Sequence, residues 1–187
     1  MDSVTRFLEE KLKLRVNRDK SAVAAVGERK FLGHRLLLNG KLGISPKSVT
    51  RAKEKIKQIT RRNRGVSFAQ VIVELMAQEL KAHYLFLVGW IIFYRFAACR
   101  FELQCLDEWI RRKLRCYRLK QCKRGKTVAG FLKRLGAAPT LAHRVASSGK
   151  GWWRLALTRP AHQAMSAAWF TKQGLTSLVV KYDSLRN

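Results

Sequence analysis

The feature that most restricts this chain is a helical apolar stripe set inside an unbroken run of cations. Leu103, Leu106, Ile110, Leu114 and Tyr117 recur at intervals of three or four residues, one side of an α-helix running from roughly Glu102 to Lys123. From Arg111 to Lys126 there are nine Lys/Arg and no Asp or Glu. Arg111, Arg115 and Arg118 share a face offset from the apolar stripe. Like charges one turn apart destabilise a helix unless an anion offsets them. Asp107 and Glu108, one turn ahead of Arg111 and Arg112, offset only part of this, and helix start and charge pairing account for that acidic pair. Such a helix needs a core on one side and a polyanion on another.

A second segment repeats the pattern. Ser45-Pro46 supplies an N-cap and a proline at the first helical position, and Val49, Ala52, Ile56 and Ile59 form the apolar stripe that follows. Lys47 to Arg64 carries eight Lys/Arg against the single acid Glu54, and Gly65 can end the helix. Ser67 and Gln70 have capping-box spacing ahead of Phe68, Ile72 and Leu75. A third helical stretch surrounds Trp90 and Tyr94. Helices joined by such short connections predict a compact bundle.

The flanking pieces are less regular. Val4, Phe7, Leu8 and Leu12 keep helical spacing, Val16 and Ala22 to Val26 read as extended, and Phe31–Leu38, Asn39-Gly40 and Leu42–Ile44 predict a hairpin. Residues 1–44 therefore have little core of their own. Beyond about residue 125, Gly149 to Gly151, Trp152-Trp153 and Pro160 punctuate the chain before a last helical pattern at Ala161 to Phe170. The expected divisions are 1–44, 45–125 and a basic tail, 126–187.

The net charge of +27 points to a phosphate-rich partner, while 47% hydrophobic residues and five Trp exclude a disordered basic tail. Helix-borne candidates for phosphate contact are Lys53, Lys57, Arg61, Arg62, Arg64, Arg111, Arg112, Arg115, Arg118, Lys120, Lys123 and Arg124. The run Lys150-Gly151-Trp152-Trp153-Arg154 places aromatic rings beside cations, the composition that stacks on unpaired bases. Core packing is the competing role for one or both tryptophans. RNA is the better match and DNA the alternative, because neither helix-turn-helix nor zinc-finger spacing is present.

Catalytic and metal sites are not expected, nor is a cofactor. Asp2, Asp19, Asp107 and Asp183 are the only aspartates and none neighbours another, whereas two-metal nucleotidyl transfer needs converging carboxylates. Gly125-Lys126-Thr127 ends like a phosphate-binding loop, but Lys120 stands where that motif needs its first Gly. His34, His83, His143 and His162 are scattered. Cys99, Cys105, Cys116 and Cys122 lack the spacing of paired zinc ligands and read as reduced thiols of a cytoplasmic protein. With no targeting segment at the N-terminus, and Tyr84–Tyr94 shorter than the roughly 20 residues a bilayer requires, no membrane association is expected.

These residues resemble the group II intron-encoded reverse transcriptase/maturases. Ser3-Val4-Thr5-Arg6-Phe7-Leu8-Glu9-Glu10-Lys11-Leu12, Leu14-Arg15-Val16-Asn17-Arg18-Asp19-Lys20-Ser21 and Phe31-Leu32-Gly33 resemble the last segments of that family's polymerase palm. Thr60-Arg61-Arg62-Asn63-Arg64-Gly65, Gly89-Trp90 with Tyr94, and Leu106-Asp107-Glu108-Trp109-Ile110-Arg111-Arg112 resemble its maturase-specific, thumb-like domain. Leu132-Lys133-Arg134-Leu135-Gly136 and Ala146-Ser147-Ser148-Gly149-Lys150-Gly151 resemble the tail that follows. Val73 to Phe86 departs from the pattern, lacking the Asn-Pro that precedes Gly-Trp in the family.

The resemblance implies a mainly α fold, a helical-bundle maturase domain preceded by a small α/β remnant of a palm. It also implies binding to the structured RNA of an intron and promotion of splicing. The family's Tyr-Ala-Asp-Asp catalytic turn is not in this sequence, so Met1 reads as an internal methionine of a longer ancestor or a start codon within a broken gene. Two alternatives follow: a C-terminal component of a split polymerase that pairs with an N-terminal reverse-transcriptase polypeptide, or a decayed remnant without a stable fold.

Overall fold

In the computed structural model, residues 2–17, 23, 25, 30–76 and 86–186 are described. The extended stretch expected at 22–26 lies largely outside them, as do His83 and most of the atypical segment before Gly89. Among the described residues the chain is mainly helical, with one small sheet.

The sheet is a three-stranded antiparallel meander of β1 (Lys30–Phe31), β2 (His34–Leu36) and β3 (Leu42–Ile44). The sequence pattern predicts one strand over Phe31–Leu38. Instead Leu32 and Gly33 both take positive φ, 48° and 81°, and fold that stretch back on itself in a tight turn. The Gly33 carbonyl is then an anchor, accepting from the Ser45 N–H at 2.9 Å, the Ser48 hydroxyl at 3.1 Å and the Tyr94 hydroxyl at 3.4 Å. Of the first forty-four residues only Gly43 and Ile44 are buried among those described, and α1 (Asp2–Glu10) buries none.

Ser45 caps α2 (Pro46–Ile59), its hydroxyl oxygen accepting from the Ser48 N–H, and α2 buries Ala52, Ile56 and Ile59. Gly65, at φ 73°, turns the chain into α3 (Phe68–Met76), whose Phe68, Val71, Ile72 and Leu75 enter the core. The turn is clamped by Arg64, which donates to both oxygens of Glu74 at 2.7 and 2.9 Å and to the Ile59 carbonyl at 2.5 Å. Helix α4 (Phe86–Phe93) is apolar all round and stacks its end on the sheet through Phe93, Tyr94 and His34. No described helix is long and apolar enough to cross a membrane.

Helix α5 (Arg100–Gln121) is the beam of the structure. It buries Leu103, Leu106, Ile110, Leu114, Tyr117 and Leu119, matching the apolar stripe in the sequence. The tail folds onto it. Helices α6 (Gly125–Arg134) and α7 (Pro139–Ala146) pack as a hairpin so close that a Cβ on Gly125 would meet the Ala146 carbonyl at 3.0 Å. Helix α8 (Trp152–Leu155) lies on α5.

The final helical pattern divides into α9 (Arg159–Ala164) and α10 (Ala167–Lys172), because Met165 leaves helical geometry and the Ser166 hydroxyl caps the second helix at the Trp169 N–H. Helix α11 (Leu178–Ser184) closes against α4 and α5. One hydrophobic core extends from Ile44 to Tyr182.

Candidate nucleic-acid interface

On α5, residues 109, 113, 116 and 120 are spaced four, three and four apart, so Trp109, Lys113, Cys116 and Lys120 make one stripe along the helix, and Lys123 follows just past its end at φ 57°. The helical part of the stripe is about 16 Å long at 1.5 Å per residue. Helix α2 and the turn after it run beside this stripe. The Lys53 ammonium lies 6.0 Å from the Trp109 ring centre, and the Arg62 guanidinium donates to the Cys116 sulfur at 3.7 Å. From the tail, α8 brings Trp153 to the same place. The Arg112 guanidinium stacks 3.8 Å over its indole and donates to its carbonyl at 3.4 and 3.2 Å. Lys113 stands between two indoles, 5.0 Å from Trp153 and 5.5 Å from Trp109.

The electrostatics of this groove are one-sided. Burial is the main cause that pushes the Lys113 ammonium below its usual range, and the neighbouring Lys57 and Arg62 push it further. Burial raises the Cys116 thiol, although Arg62 and Lys113 favour its ionisation. Among the described residues, none of the side chains in these contacts is a carboxylate. A folded chain that gathers cations without acids gains stability when an anion enters.

The remaining sequence candidates divide by what holds them. Arg61, Lys120, Lys123, Arg124, Lys150 and Arg154 are exposed. Arg64 is committed to Glu74, whose hydrogen bond raises its pKa. Arg118 donates to Gln121 and lies 4.7 Å from the Phe131 ring. Trp152 is half-buried against the core, and Trp153, 36% exposed, is partly covered by Arg112 instead of offering a bare ring.

The expectation of an outward face of Arg111, Arg115 and Arg118 needs correction at its centre. Arg115 is 3% exposed, donates to the Met165 carbonyl at 3.0 Å and meets His162 Nε2 at 3.0 Å. The tail covers that face, a packing that periodicity within one helix does not encode. The pairing of Trp109 with Lys113 is absent from the sequence expectations. Its signal is the four-residue spacing that puts both on one face with Cys116 and Lys120.

The Asp107-Glu108 pair keeps the charge pairing its sequence context suggests, through Asp107 and Arg111, but it does not stand at a helix start. Asp107 sits in the middle of α5, 5% exposed, and accepts from the Ser177 hydroxyl at 2.6 Å and from the Leu178 and Val179 N–H groups at 3.0 and 3.4 Å. It caps α11 across the fold, with the Arg111 guanidinium 3.9 Å away.

Arg115 and His162 give the fold a pH dependence. A guanidinium only donates, so His162 Nε2 accepts and the ring is neutral. Burial, Arg115 and Arg111 together push His162 below its ordinary 6.5, against a smaller opposing effect of Glu108. The unfolded chain therefore takes up this proton first as pH falls, and stability declines from about 6.5 down to the lowered folded value. His162→Gln, which keeps an acceptor but does not titrate, is expected to lose less stability between pH 7 and 5 in urea melts. An identical decline in both proteins would contradict this assignment.

Among the described residues no group of three or more His, Cys, Asp or Glu side chains is arranged to hold a metal ion. The cysteines are free; Cys99, Cys116 and Cys122 are buried, and burial pushes Cys99 up to about 11.

The fold and its groove define a class: a mainly helical domain with a cationic face built on its longest helix. Residues 49–136, just under half of the chain, match the family model described as the group II intron, maturase-specific domain, and this stretch is similar to that domain. The matched stretch contains α5 and all of α2 after its first three residues, while Trp153 reaches the groove from beyond it. No curated protein matches the chain.

Proposed function

We propose that this chain binds the structured RNA of a group II intron along the groove between α2 and α5 and thereby assists splicing. Reverse-transcriptase catalysis is not part of the role. The observation that carries the reading is the convergence of Lys57, Arg62, Arg112 and Lys113 around Trp109 and Trp153 with no acid among them. A stripe of about 16 Å runs beside about five stacked nucleotides at 3.4 Å each. Arg112 is held by the indole and carbonyl of Trp153, so its guanidinium reaches a phosphate with little ordering still to do. DNA offers the same phosphates, and the maturase-specific match supports intron RNA over it.

The test is binding to a transcribed group II intron against an unstructured RNA of equal length, with splicing followed at limiting Mg²⁺. Tighter binding to the intron and a larger spliced fraction are expected. Equal binding with unchanged splicing refutes the proposal.

A second reading, a C-terminal component that completes a polymerase with a separate reverse-transcriptase polypeptide, is favoured by one observation. The small sheet and the end of α4 expose Phe31, Leu32, Leu38, Phe93 and Phe96, with Leu38 95% exposed. The RNA groove is common to both readings.

A further inference from the structure

At the far end of the stripe lies a cleft of about 520 Å³, between the turn that joins α2 to α3 and the last two turns of α5. Its floor is apolar and fixed: Phe68 and Tyr117 belong to the core, and the Val66 carbonyl accepts from the Tyr117 hydroxyl at 2.7 Å and from Gln121 Nε2 at 3.0 Å. Its rim is cationic, formed by Arg62, Arg118, Lys120 and Lys123, and none of its lining residues is an acid. Arg62 belongs to both places, lining the cleft and reaching Cys116 on the stripe. A strand held along the stripe therefore passes the mouth of the cleft.

An apolar floor beneath four cations does not suit a helical phosphate backbone alone, nor an acidic peptide, whose carboxylates would leave the floor bare. It suits a group that is flat and apolar in the middle with negative charge on either side. We propose that the cleft takes one unpaired nucleotide of the bound RNA, with its base against Val66, Phe68 and Tyr117 and its flanking phosphates on the rim. This rests on the RNA-binding reading above, and it adds that the chain selects RNA in which a base can leave the helix. Gln121 supports recognition of the base edge, since an amide carries two N–H donors and the bond to Val66 uses one.

The test uses the full chain and two RNAs, a perfect duplex and the same duplex with a single bulged uridine. The bulged RNA is expected to bind at least about fivefold more tightly. Lys120→Ala with Lys123→Asn is expected to bring the preference close to one, asparagine being chosen because Lys123 has φ 57°. Lys53→Ala with Lys57→Ala is expected to weaken both RNAs alike and keep the preference.

A 5-iodouridine at the bulge is expected to cross-link within 65–68 or 117–123. Equal affinity for the two RNAs, a preference that survives the Lys120/Lys123 change, or cross-links confined to Trp153 would overturn the cleft while leaving RNA binding intact. Failure of both RNAs to bind would overturn the RNA-binding reading itself.

Discussion

Asp107→Ala is expected to destabilise the chain by about 3–5 kcal/mol, measured as a lower urea midpoint with an unchanged slope. The carboxylate is buried, and its removal strands the Ser177 hydroxyl and the Leu178 N–H, the latter on a residue only 1% exposed. It also takes a negative charge from the N-terminus of α11 and from beside Arg111. Asp107→Asn keeps one oxygen and the shape of the side chain, and its loss should be markedly smaller. If both variants fell within about 1 kcal/mol of the parent, the bonds from α11 would be incidental to the fold.

Neutralising Lys57, Arg62 and Lys113 together with glutamine should flatten the dependence of log affinity on log salt by about 2–3, at 0.7–0.9 for each phosphate no longer neutralised. The deficit should be greatest at low salt. The same triple variant should be as stable as the parent or more so, because it relieves the repulsion that Lys57 and Arg62 exert on Lys113. That second measurement separates the possible roles. Cations that merely held the fold together would show falling stability with the salt slope unchanged, and this pair of results would remove the groove from consideration.

The bundle was legible because its signals are local. Ser45-Pro46, Ser67 with Gln70, and the apolar intervals of α2, α3 and α5 each lie within a few turns of chain, and each forms as the spacing predicts. The sheet was legible in part, since a leucine at positive φ beside Gly33 is a strand break that propensity does not announce. What stayed hidden was contact between elements distant in sequence. Whether Arg115 or Lys113 faces outward depends on where α9 and α10 land, some fifty residues later. The same holds for Asp107, whose partners lie about seventy residues away, and for Trp153, whose ring is engaged by α5.

Helix α5 carries the groove on one side and the tail on others, and it does so without a break over 22 residues. Its two faces therefore share one free-energy ledger. Nucleic acid present at one hundred times its Kd would add about 2.7 kcal/mol to the folded state as a whole. Through the common core, that increment reaches Leu178 and Tyr182, which touch nothing in the groove. Release of the ligand would loosen the tail by the same amount, so occupancy of α2 and α5 becomes readable as protease resistance at the C-terminal end.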